Sequence, residues 1–339
     1  VYVGEEVANS DCFERQEILY RVTITVAGDQ LTVDFTGTAP QMKGFKNSSI
    51  ANTHSMVYVG IGSFFDPDLP RNEGTFRPVK IIAPYGSTVN PKPPAATTFA
   101  TAFPAHDVIQ AIWKALAQAA PEKAVAGWGK AVIPISSGID PGTDSRYVLY
   151  HWNGLSGGGA VIGRDGLNQI AHLSTLGGFT LPNVETWEQL YPVRVLRHEF
   201  NRDGGGAGEW RGGTGVIYDA EVQTAADYSF RGEGLYDASG FGFLGGKPGV
   251  PGELSVTMPD GSVFEPPQYS LDHLPPVRLH IVSPGGGGLG DPLRRPAEAV
   301  RRDVGDGVVS VEAAARDYGV VLSADGTVDE LATKRRRAA

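Results

Sequence analysis

A glycine-rich segment at residues 201–216, NRDGGGAGEWRGGTGV, is where residue types and spacing most clearly suggest chemistry. Seven glycines surround Asp203, Glu209 and Arg211. Glycine loses more backbone entropy on ordering than any other residue, so a dense cluster is useful where the chain needs positive φ or close approach to another group. A flexible linker is the alternative, but Trp210 and the alternating pattern of residues 216–222 favour an ordered loop.

Arg211 carries the side chain of this loop that is best suited to bind an anionic ligand. Its planar guanidinium group can bind a carboxylate or a phosphate through two parallel hydrogen bonds. Two interpretations are open: Arg211 and Asp203 form an ion pair that fixes the loop, or both face a ligand that the glycines allow to approach. We favour the ion pair, because a charge buried in a glycine-rich loop needs a partner whatever its function.

A second polar loop carries Asn72, Glu73 and Arg77 between Pro70 and Pro78. The two prolines restrict the backbone of this loop, and an arginine held in place can clamp a carboxylate or a phosphate. Asn72 and Arg77 are therefore further candidates for a binding site.

Asp291 follows a second glycine cluster, residues 284–292 (PGGGGLGDP), where its structural role is to cap the turn before Pro292. Asp34 and Thr36 lie at the end of a predicted hairpin. The sequence identifies no catalytic residue. The candidates for substrate binding or loop positioning are Asp34, Thr36, Asn72, Arg77, Asp203, Arg211 and Asp291.

The sequence predicts no metal, nucleotide or nucleophile site within this chain. None of the seven histidines has a partner at the spacing that places two ligands on one helical turn, and the single cysteine excludes a cysteine cage. Gly129-Lys130 and Gly246-Lys247 lack the Ser or Thr and the spacing of a phosphate-binding loop. The GxSxG pattern of a nucleophilic serine is also absent.

Composition indicates a folded, loop-rich chain of two or more subregions. Its 339 residues include 45 glycines and 24 prolines, well above average usage. The net charge of −9 argues against nucleic-acid binding, and the KRRR run at residues 334–337 is predicted to be a solvated, frayed tail. No apolar run approaches the ~20 residues that cross a bilayer, so we expect no membrane association and a cytoplasmic location.

Strand patterns dominate the chain. Residues 4–15 are polar and predicted to contain little strand, whereas residues 19–26 and 31–35 alternate around a turn and predict a hairpin. An Asp-Gly pair predicts a further hairpin turn at residues 258–263. The other predicted strands are residues 79–83, 147–152, 160–163, 194–200, 216–222, 253–258 and 277–282.

Helix signals are fewer. Residues 50–65 are compatible with a helix, and the clearest helix has Asp107 as its N-cap and ends at Pro121. Near the end of the chain, Pro296 opens one helix, and Ser310 and Gly319 bound another.

These patterns predict an α+β fold. Its β-rich, mixed or antiparallel body carries glycine-rich loops, one central helix and a helical C-terminal end. We divide the chain into a hairpin and proline-rich region with a helix (1–122), a β-rich central region (123–283) and a glycine-rich loop with C-terminal helices (284–339).

Five segments occur in the order found in one known family. They are DFTGTAPQ (residues 34–41), LPRNEGTFRPVKIIAPYGSTVNPKPPAA (69–96), the two glycine clusters and YGVVL (318–322). Together they resemble the hydantoinase B/oxoprolinase family, which also includes the large subunits of acetone and acetophenone carboxylases. The resemblance covers residues 33–322 and corresponds to the C-terminal portion of these longer proteins.

The resemblance implies a subunit of a heteromeric, ATP-dependent enzyme that hydrolyses a cyclic amide such as a hydantoin, 5-oxoproline or a lactam. A ketone carboxylase subunit and a non-catalytic structural subunit are the alternatives. The implied partners are a hydantoinase A-like ATPase that binds ATP and Mg²⁺, a chain with the N-terminal half of the B subunit, and a small-molecule substrate, in a higher oligomer. A divalent metal, Zn²⁺ or Mn²⁺, is expected on the missing upstream half and none on this chain alone.

Overall fold

The computed structural model describes residues 1–66, 68–170, 173, 178–181 and 183–338. The chain forms two compact units. The first contains Val1–Val125, and the second contains the described residues from Ala126 onward, except residue 173. The predicted regions 1–122, 123–283 and 284–339 are defined by the types of element along the sequence, whereas the two units are defined by contacts in space. The three-region division therefore stays a prediction.

A four-stranded sheet organises the first unit. Its strands are β1 (Tyr2–Ala8), β2 (Ile18–Ala27), β3 (Gln30–Asp34) and β4 (Val79–Ile82), in the order β1-β2-β3-β4, and only the β3–β4 pair is parallel. The predicted hairpin is confirmed as β2–β3, turned at Gly28 with a φ of 62°.

The prediction of little strand at residues 4–15 is wrong for residues 4–8, which belong to β1, and is confirmed for residues 9–15, which contain no strand. The buried positions of β1 are Gly4, Glu6 and Ala8, none of which is large and apolar. Gly4 has no side chain because the backbone oxygen of Ala111 would lie 1.9 Å from a Cβ atom. Because a helix packs closely on β1, its buried positions are not large and apolar. The alternation of apolar and polar residues by which a strand is recognised in a sequence is therefore absent there.

Three helices complete the described elements of this unit: α1 (Ile50–Gly62), α2 (Glu73–Phe76) and α3 (Phe103–Leu116). Asp107 as the N-cap of α3 is wrong, because the helix begins four residues earlier and Asp107 is buried inside it. Pro104 occupies the first turn, where its missing N–H has no intrahelical acceptor to lose. The helix also ends at Leu116, before Pro121.

The second unit contains a β-sandwich. One sheet has the order β11-β10-β13-β8-β7 and the other the order β12-β9-β5-β6, with all neighbours antiparallel. Tyr218, Leu279, Tyr228 and Phe230 belong to the shared core between them. The strands are β5 (Ile135–Asp140), β6 (Ser145–Tyr150), β7 (Val193–Phe200), β8 (Val216–Val222), β9 (Ala226–Arg231), β10 (Glu253–Thr257), β11 (Val263–Phe264), β12 (Tyr269–Leu274) and β13 (Val277–Val282).

Most predicted strands of this region are confirmed, and β8 has the predicted bounds. The strand predicted at residues 160–163 is wrong, since only an isolated bridge joins Val161 and Arg164 there. Gly163 has a φ of 85°, which turns the chain instead of extending it. Strands β5, β9 and β12 were not predicted from the sequence.

Four glycine-containing segments of the second unit pack backbone against backbone, and we call them the glycine body: residues 157–159, 204–215, 240–249 and 285–290. A Cβ atom on Gly286 would lie 2.0 Å from the oxygen of Gly158, and one on Gly287 would lie 1.8 Å from the oxygen of Phe241. The N–H of Gly286 donates to Gly213 O at 2.9 Å. The predicted ordered loop is confirmed, and close approach of other backbone explains its glycines.

Helix α4 (Val184–Leu190) precedes β7, and three helices follow the glycine body: α5 (Ala297–Gly305), α6 (Val311–Tyr318) and α7 (Glu330–Ala338). As predicted, Ser310 caps α6, and Gly319 ends it with a left-handed φ of 63°. The predicted frayed tail is wrong, because the basic run lies in α7. Arg336 Nε donates to Ala315 O at 2.5 Å and Arg337 Nε donates to Tyr318 O at 3.0 Å, which satisfies carbonyl groups at the end of α6.

The predicted class is confirmed: the fold is α+β, with a β-rich body of mixed and antiparallel sheets and a helical C-terminal end. Among the helices of the described residues, none has the length and apolar character needed to cross a membrane.

Gly286→Ala should destabilise the protein strongly, because the added methyl group meets main-chain atoms that cannot move alone. We expect a loss of about 3 kcal/mol or more in the free energy of unfolding, measured by urea denaturation. Gly305→Ala is the matched control, since no atom lies within 4 Å of its Cβ position and its φ is not positive. That variant should be neutral or slightly stabilising. Equal stability of both variants would contradict the close packing of the glycine body.

Candidate functional site

Four charged side chains of the second unit meet in what we call the Arg295 cluster: Asp165, Arg211, Arg295 and Asp303. Arg295 donates to both carboxylate oxygens of Asp165, at 2.7 Å each, and to Asp303 Oδ2 from Nε at 3.0 Å and Nη2 at 2.8 Å. Its side chain is almost fully buried. One guanidinium group thus joins the loop that carries Asp165 to helix α5, which carries Asp303.

Arg211 brings the glycine body into this cluster. Its backbone N–H donates to Asp165 Oδ1 at 2.7 Å, and its Nη1 donates to Gly212 O at 2.6 Å. Its Nε lies 3.5 Å from Asp303 Oδ1 and makes no hydrogen bond within the described part of the chain.

The favoured ion pair of Arg211 with Asp203 is therefore wrong. Asp203 instead accepts a hydrogen bond from the backbone N–H of Ser310 at 2.7 Å, at the start of α6. The two side chains are directed to different C-terminal helices, and both predicted residues hold these helices against the glycine body.

The two carboxylates of the cluster have opposite pKa shifts. Burial acts to raise the pKa of Asp165, but the hydrogen bonds and charge of Arg295 outweigh burial, so this pKa lies below its usual value. For Asp303, burial dominates over the attraction of Arg211 and Arg295, and its pKa is raised. Both carboxylates accept two hydrogen bonds from Arg295, so the difference between them lies in how far burial is compensated.

A cleft of about 480 Å³ opens beside the cluster, and we call it the Trp210 cleft. Its walls include four carboxylates and three guanidinium groups, so the lining is polar and carries both signs of charge. The charged lining residues are Asp165, Glu209, Arg211, Arg295, Arg302, Asp303 and Asp306. Most of the charge in its floor is neutralised by partners within the protein, which makes a structural role the best-supported one for Arg211.

The other predicted site residues make local contacts. Asp34 accepts hydrogen bonds from the N–H of Thr36 at 2.8 Å and from its hydroxyl at 2.7 Å. Asn72 caps α2 by accepting from Thr75 N, and Arg77 is an exposed residue at the end of that helix. Asp291 accepts from Leu293 N at 2.9 Å and caps the turn as expected for its structural role. A role for these residues in substrate binding stays a prediction.

A buried trio in the sandwich core was not singled out from the sequence. His151 Nε2 lies 3.1 Å from Ser136 Oγ, and His151 Nδ1 lies 3.2 Å from the hydroxyl of Tyr218. All three residues are inaccessible to solvent, and burial lowers the pKa of His151 to about 3. The trio therefore satisfies polar groups in the core, and periodicity could identify only Tyr218, an inward position of β8.

Metal ligands are not clustered in the described residues: no three His, Cys, Asp or Glu side chains there come together to hold an ion. His172, one of the seven histidines, lies outside the described residues.

Comparison with known proteins gives a consistent family match. The model of the family described as hydantoinase B/oxoprolinase matches residues 2–292. The caprolactamase subunit beta of Pseudomonas jessenii is 34% identical over 348 aligned residues, covering 100% of this chain and 59% of that protein. The chain thus spans a little over half of the length of this relative.

Two solved structures have similar backbones. The crystal structure of the ATP-dependent caprolactamase from Pseudomonas jessenii has a TM-score of 0.87 at 33% identity, covering 100% of this chain and 60% of that chain. The nucleotide-free structure of an acetone carboxylase has a TM-score of 0.85 at 22% identity, covering 99% of this chain and 51% of that chain. The second likeness concerns the fold alone.

Arg295→Lys should destabilise the protein, because a single ammonium group cannot make the two-pronged contact with Asp165 while also reaching Asp303. We expect a loss of about 2–4 kcal/mol in the free energy of unfolding, measured by urea denaturation. Arg294→Lys is the control: its side chain is 72% exposed and its nearest carboxylate, on Glu209, lies 3.5 Å away. That change should stay within about 0.5 kcal/mol. Similar losses in both variants would contradict the assignment.

Acidification should destabilise the protein through His151. Its pKa is about 3 in the folded state and about 6.5 when unfolded, so the unfolded state binds an extra proton as the pH falls below about 6.5. The stability contributed by neutral His151 is complete above this range and is lost as the pH falls toward 3. Between pH 7 and pH 5, the free energy of unfolding should fall by about 2 kcal/mol more in the parent protein than in the His151→Gln variant. Identical pH profiles would show that His151 does not titrate in this way.

Proposed function

Because this chain belongs to the hydantoinase B/oxoprolinase family, we propose that it forms the C-terminal part of the B-type subunit of an ATP-dependent cyclic amide hydrolase. The observation that carries this proposal is the match to a caprolactamase beta subunit along the whole chain, in both sequence and backbone. Its substrate class would be lactams, 5-oxoproline or hydantoins.

The chemistry of the substrate explains the need for ATP. An amide carbonyl is a poor electrophile, and its oxygen is a poor leaving group. In the proposed reaction, an ATPase partner of the hydantoinase A type transfers a phosphoryl group to the lactam oxygen, which releases ADP. Water then adds to the activated carbon, and the ring C–N bond breaks as the nitrogen takes up a proton, which leaves an amine and an acyl phosphate. A second water cleaves the acyl phosphate and releases phosphate, so the product carries one amino group and one carboxylate.

In this assignment the chain provides a rigid scaffold for the reacting parts of the complex. The glycine body fixes the loop that carries Arg211, and the Arg295 cluster fixes the C-terminal helices against it. Such rigidity suits a site that must keep an activated intermediate from side reactions. Magnesium and ATP belong to the proposed partner, and a divalent metal belongs to the part of the B subunit that lies outside this sequence.

A ketone carboxylase is the second candidate, and the acetone carboxylase likeness is the observation in its favour. That likeness is weaker in sequence than the likeness to the caprolactamase, 22% against 33% identity, at a similar TM-score. Hydrolysis is therefore the better-supported activity. A purely structural subunit is the third candidate.

The test is to assemble this chain with an ATPase partner and with a polypeptide that supplies the remaining part of the beta subunit. Caprolactam, 5-oxoproline and hydantoin should each be offered with ATP, and ADP and ring-opened product measured together. We expect one of these cyclic amides to stimulate ADP release in step with the ring-opened product, and no such product when this chain is omitted.

Acetone with bicarbonate is the matched control substrate. ADP release that depends on ketone and bicarbonate, without ring opening of any cyclic amide, would establish the carboxylase instead. Full ring-opening activity of a complex that lacks this chain would establish the structural role.

A further inference from the structure

One edge of the Arg211 guanidinium group is unused beside the Trp210 cleft. Arg211 is 7% exposed and lines this cleft. The contacts that make Arg211 structural use its backbone N–H and its Nη1. Within the described part of the chain, neither Nε nor Nη2 makes a hydrogen bond, since Asp303 Oδ1 lies 3.5 Å from Nε. These two nitrogens form one side of the guanidinium fork, which can bind a carboxylate through two parallel hydrogen bonds.

Asp303 is a weak competitor for this edge. Its Oδ2 already accepts two hydrogen bonds from Arg295, and burial raises the pKa of Asp303. This carboxyl group therefore takes up a proton more readily than an exposed one when a second carboxylate comes close. Buried donors that lack an acceptor are costly, and an acceptor that enters from the cleft would satisfy them.

The charge of the cleft favours a ligand that also carries a positive group. Its walls hold four carboxylates against three guanidinium groups, so an anion alone would add to an excess of negative charge. A zwitterion brings no net charge. Asp306 is exposed and lines the same cleft, and it makes no ion pair with another described residue. Its carboxylate is therefore available to an ammonium group.

The shape of the cleft favours a ligand whose two charges are separated. Arg211 is buried in the floor, whereas Asp306 is exposed at the rim. Trp210, Pro296 and Ala299 also line the cleft and offer apolar surface to a carbon chain. Trp210 is held in place through its backbone, whose N–H donates to Leu289 O at 3.0 Å. The volume of about 480 Å³ is typical of small-molecule sites.

We propose that the Trp210 cleft binds an aliphatic ω-amino acid. The carboxylate of this ligand lies on the Nε and Nη2 edge of Arg211, its alkyl chain lies against Trp210, and its ammonium group lies at Asp306. Hydrolysis of a lactam would release a compound of this class. The site is inferred from the cleft alone, however, and does not rest on the proposed function.

Calorimetric titration of the purified chain with 6-aminohexanoate tests the ligand class. We expect this compound to bind about tenfold or more tightly than hexanoate, which lacks the ammonium group, and hexylamine, which lacks the carboxylate. L-Norleucine is the matched isomer, with the same atoms but with adjacent charges, and it should be weaker by a similar factor. The proposal would be overturned if 6-aminohexanoate did not bind, if hexanoate or norleucine bound equally well, or if inorganic phosphate bound more tightly.

Variants at the rim test the position of the ammonium group. Asp306→Asn should weaken the binding of 6-aminohexanoate about threefold or more, because the attraction of an exposed carboxylate is lost. Arg302→Gln removes an exposed cation from the same cleft and should tighten binding. Asp325→Asn is the control, since this exposed carboxylate does not line the cleft, and it should leave the affinity unchanged.

Arg211→Lys tests the position of the carboxylate. Lysine keeps the charge but lacks the two-donor edge, so binding should weaken about tenfold or more. The melting temperature is measured alongside, and the variants of the exposed residues keep the test independent of any loss of stability. Unchanged affinity in a folded Arg211→Lys variant, or equal affinities of the Asp306→Asn and Asp325→Asn variants, would overturn the proposal.

Discussion

The contact of bare backbone with bare backbone in the glycine body is the constraint on which the second unit depends. At Gly212, Gly246, Gly285 and Gly286, a Cβ atom would come within about 2 Å of a main-chain atom of another segment. The segments can approach this closely only because they lack side chains, and the approach lets their amides and carbonyls bond to each other. The order of the loop thus comes from hydrogen bonding and exact fit, with little contribution from apolar side chains.

The Arg295 cluster extends this constraint to the C-terminal helices. Arg211 is fixed by its place in the glycine body, and it helps to orient both Asp165 and Asp303. Arg295 binds both carboxylates and acts to lower both pKa values, but burial dominates at Asp303, whose pKa is raised, whereas the pKa of Asp165 is lowered. Its own carbonyl accepts from Arg337 Nη2 at 2.6 Å, so helix α7 is joined to the same group. Loss of one member of such a network leaves its partners buried without compensation.

Local signals in the sequence were sufficient for much of the fold. Alternation, a turn glycine or a helix cap predicts the β2–β3 hairpin, strand β8 and helix α6. Each of these signals involves residues that are only a few positions apart in the sequence. Strand β1 and the start of α3 could not be predicted in this way. Gly4 is small because a helix about a hundred residues later packs on it, and the role of Pro104 depends on where the helix begins.

The candidate site was less predictable than the fold for the same reason. The sequence indicates that Arg211 needs a charged partner, and it predicts the nearby Asp203 for that role. The observed partner, Asp303, lies on a helix that the chain reaches only after completing the sandwich. Propensity carries no information about such distant pairs. Asp291, whose partner is two residues away, caps the turn that its residue type predicts. Asn72, predicted only as a binding candidate, caps α2 through a partner three residues away.

The glycine body also has a consequence for motion within the folded protein. In an ordinary loop, an amide is released when one side chain or one turn moves. Here the amide of Gly286 bonds to Gly213, the amide of Gly213 bonds to Gly158, and the amide of Gly206 bonds to Gly286. Opening any one of them requires several segments to separate together. Although glycine is the most flexible residue, the amide protons of the glycine body are therefore expected to exchange with solvent only when the whole second unit unfolds.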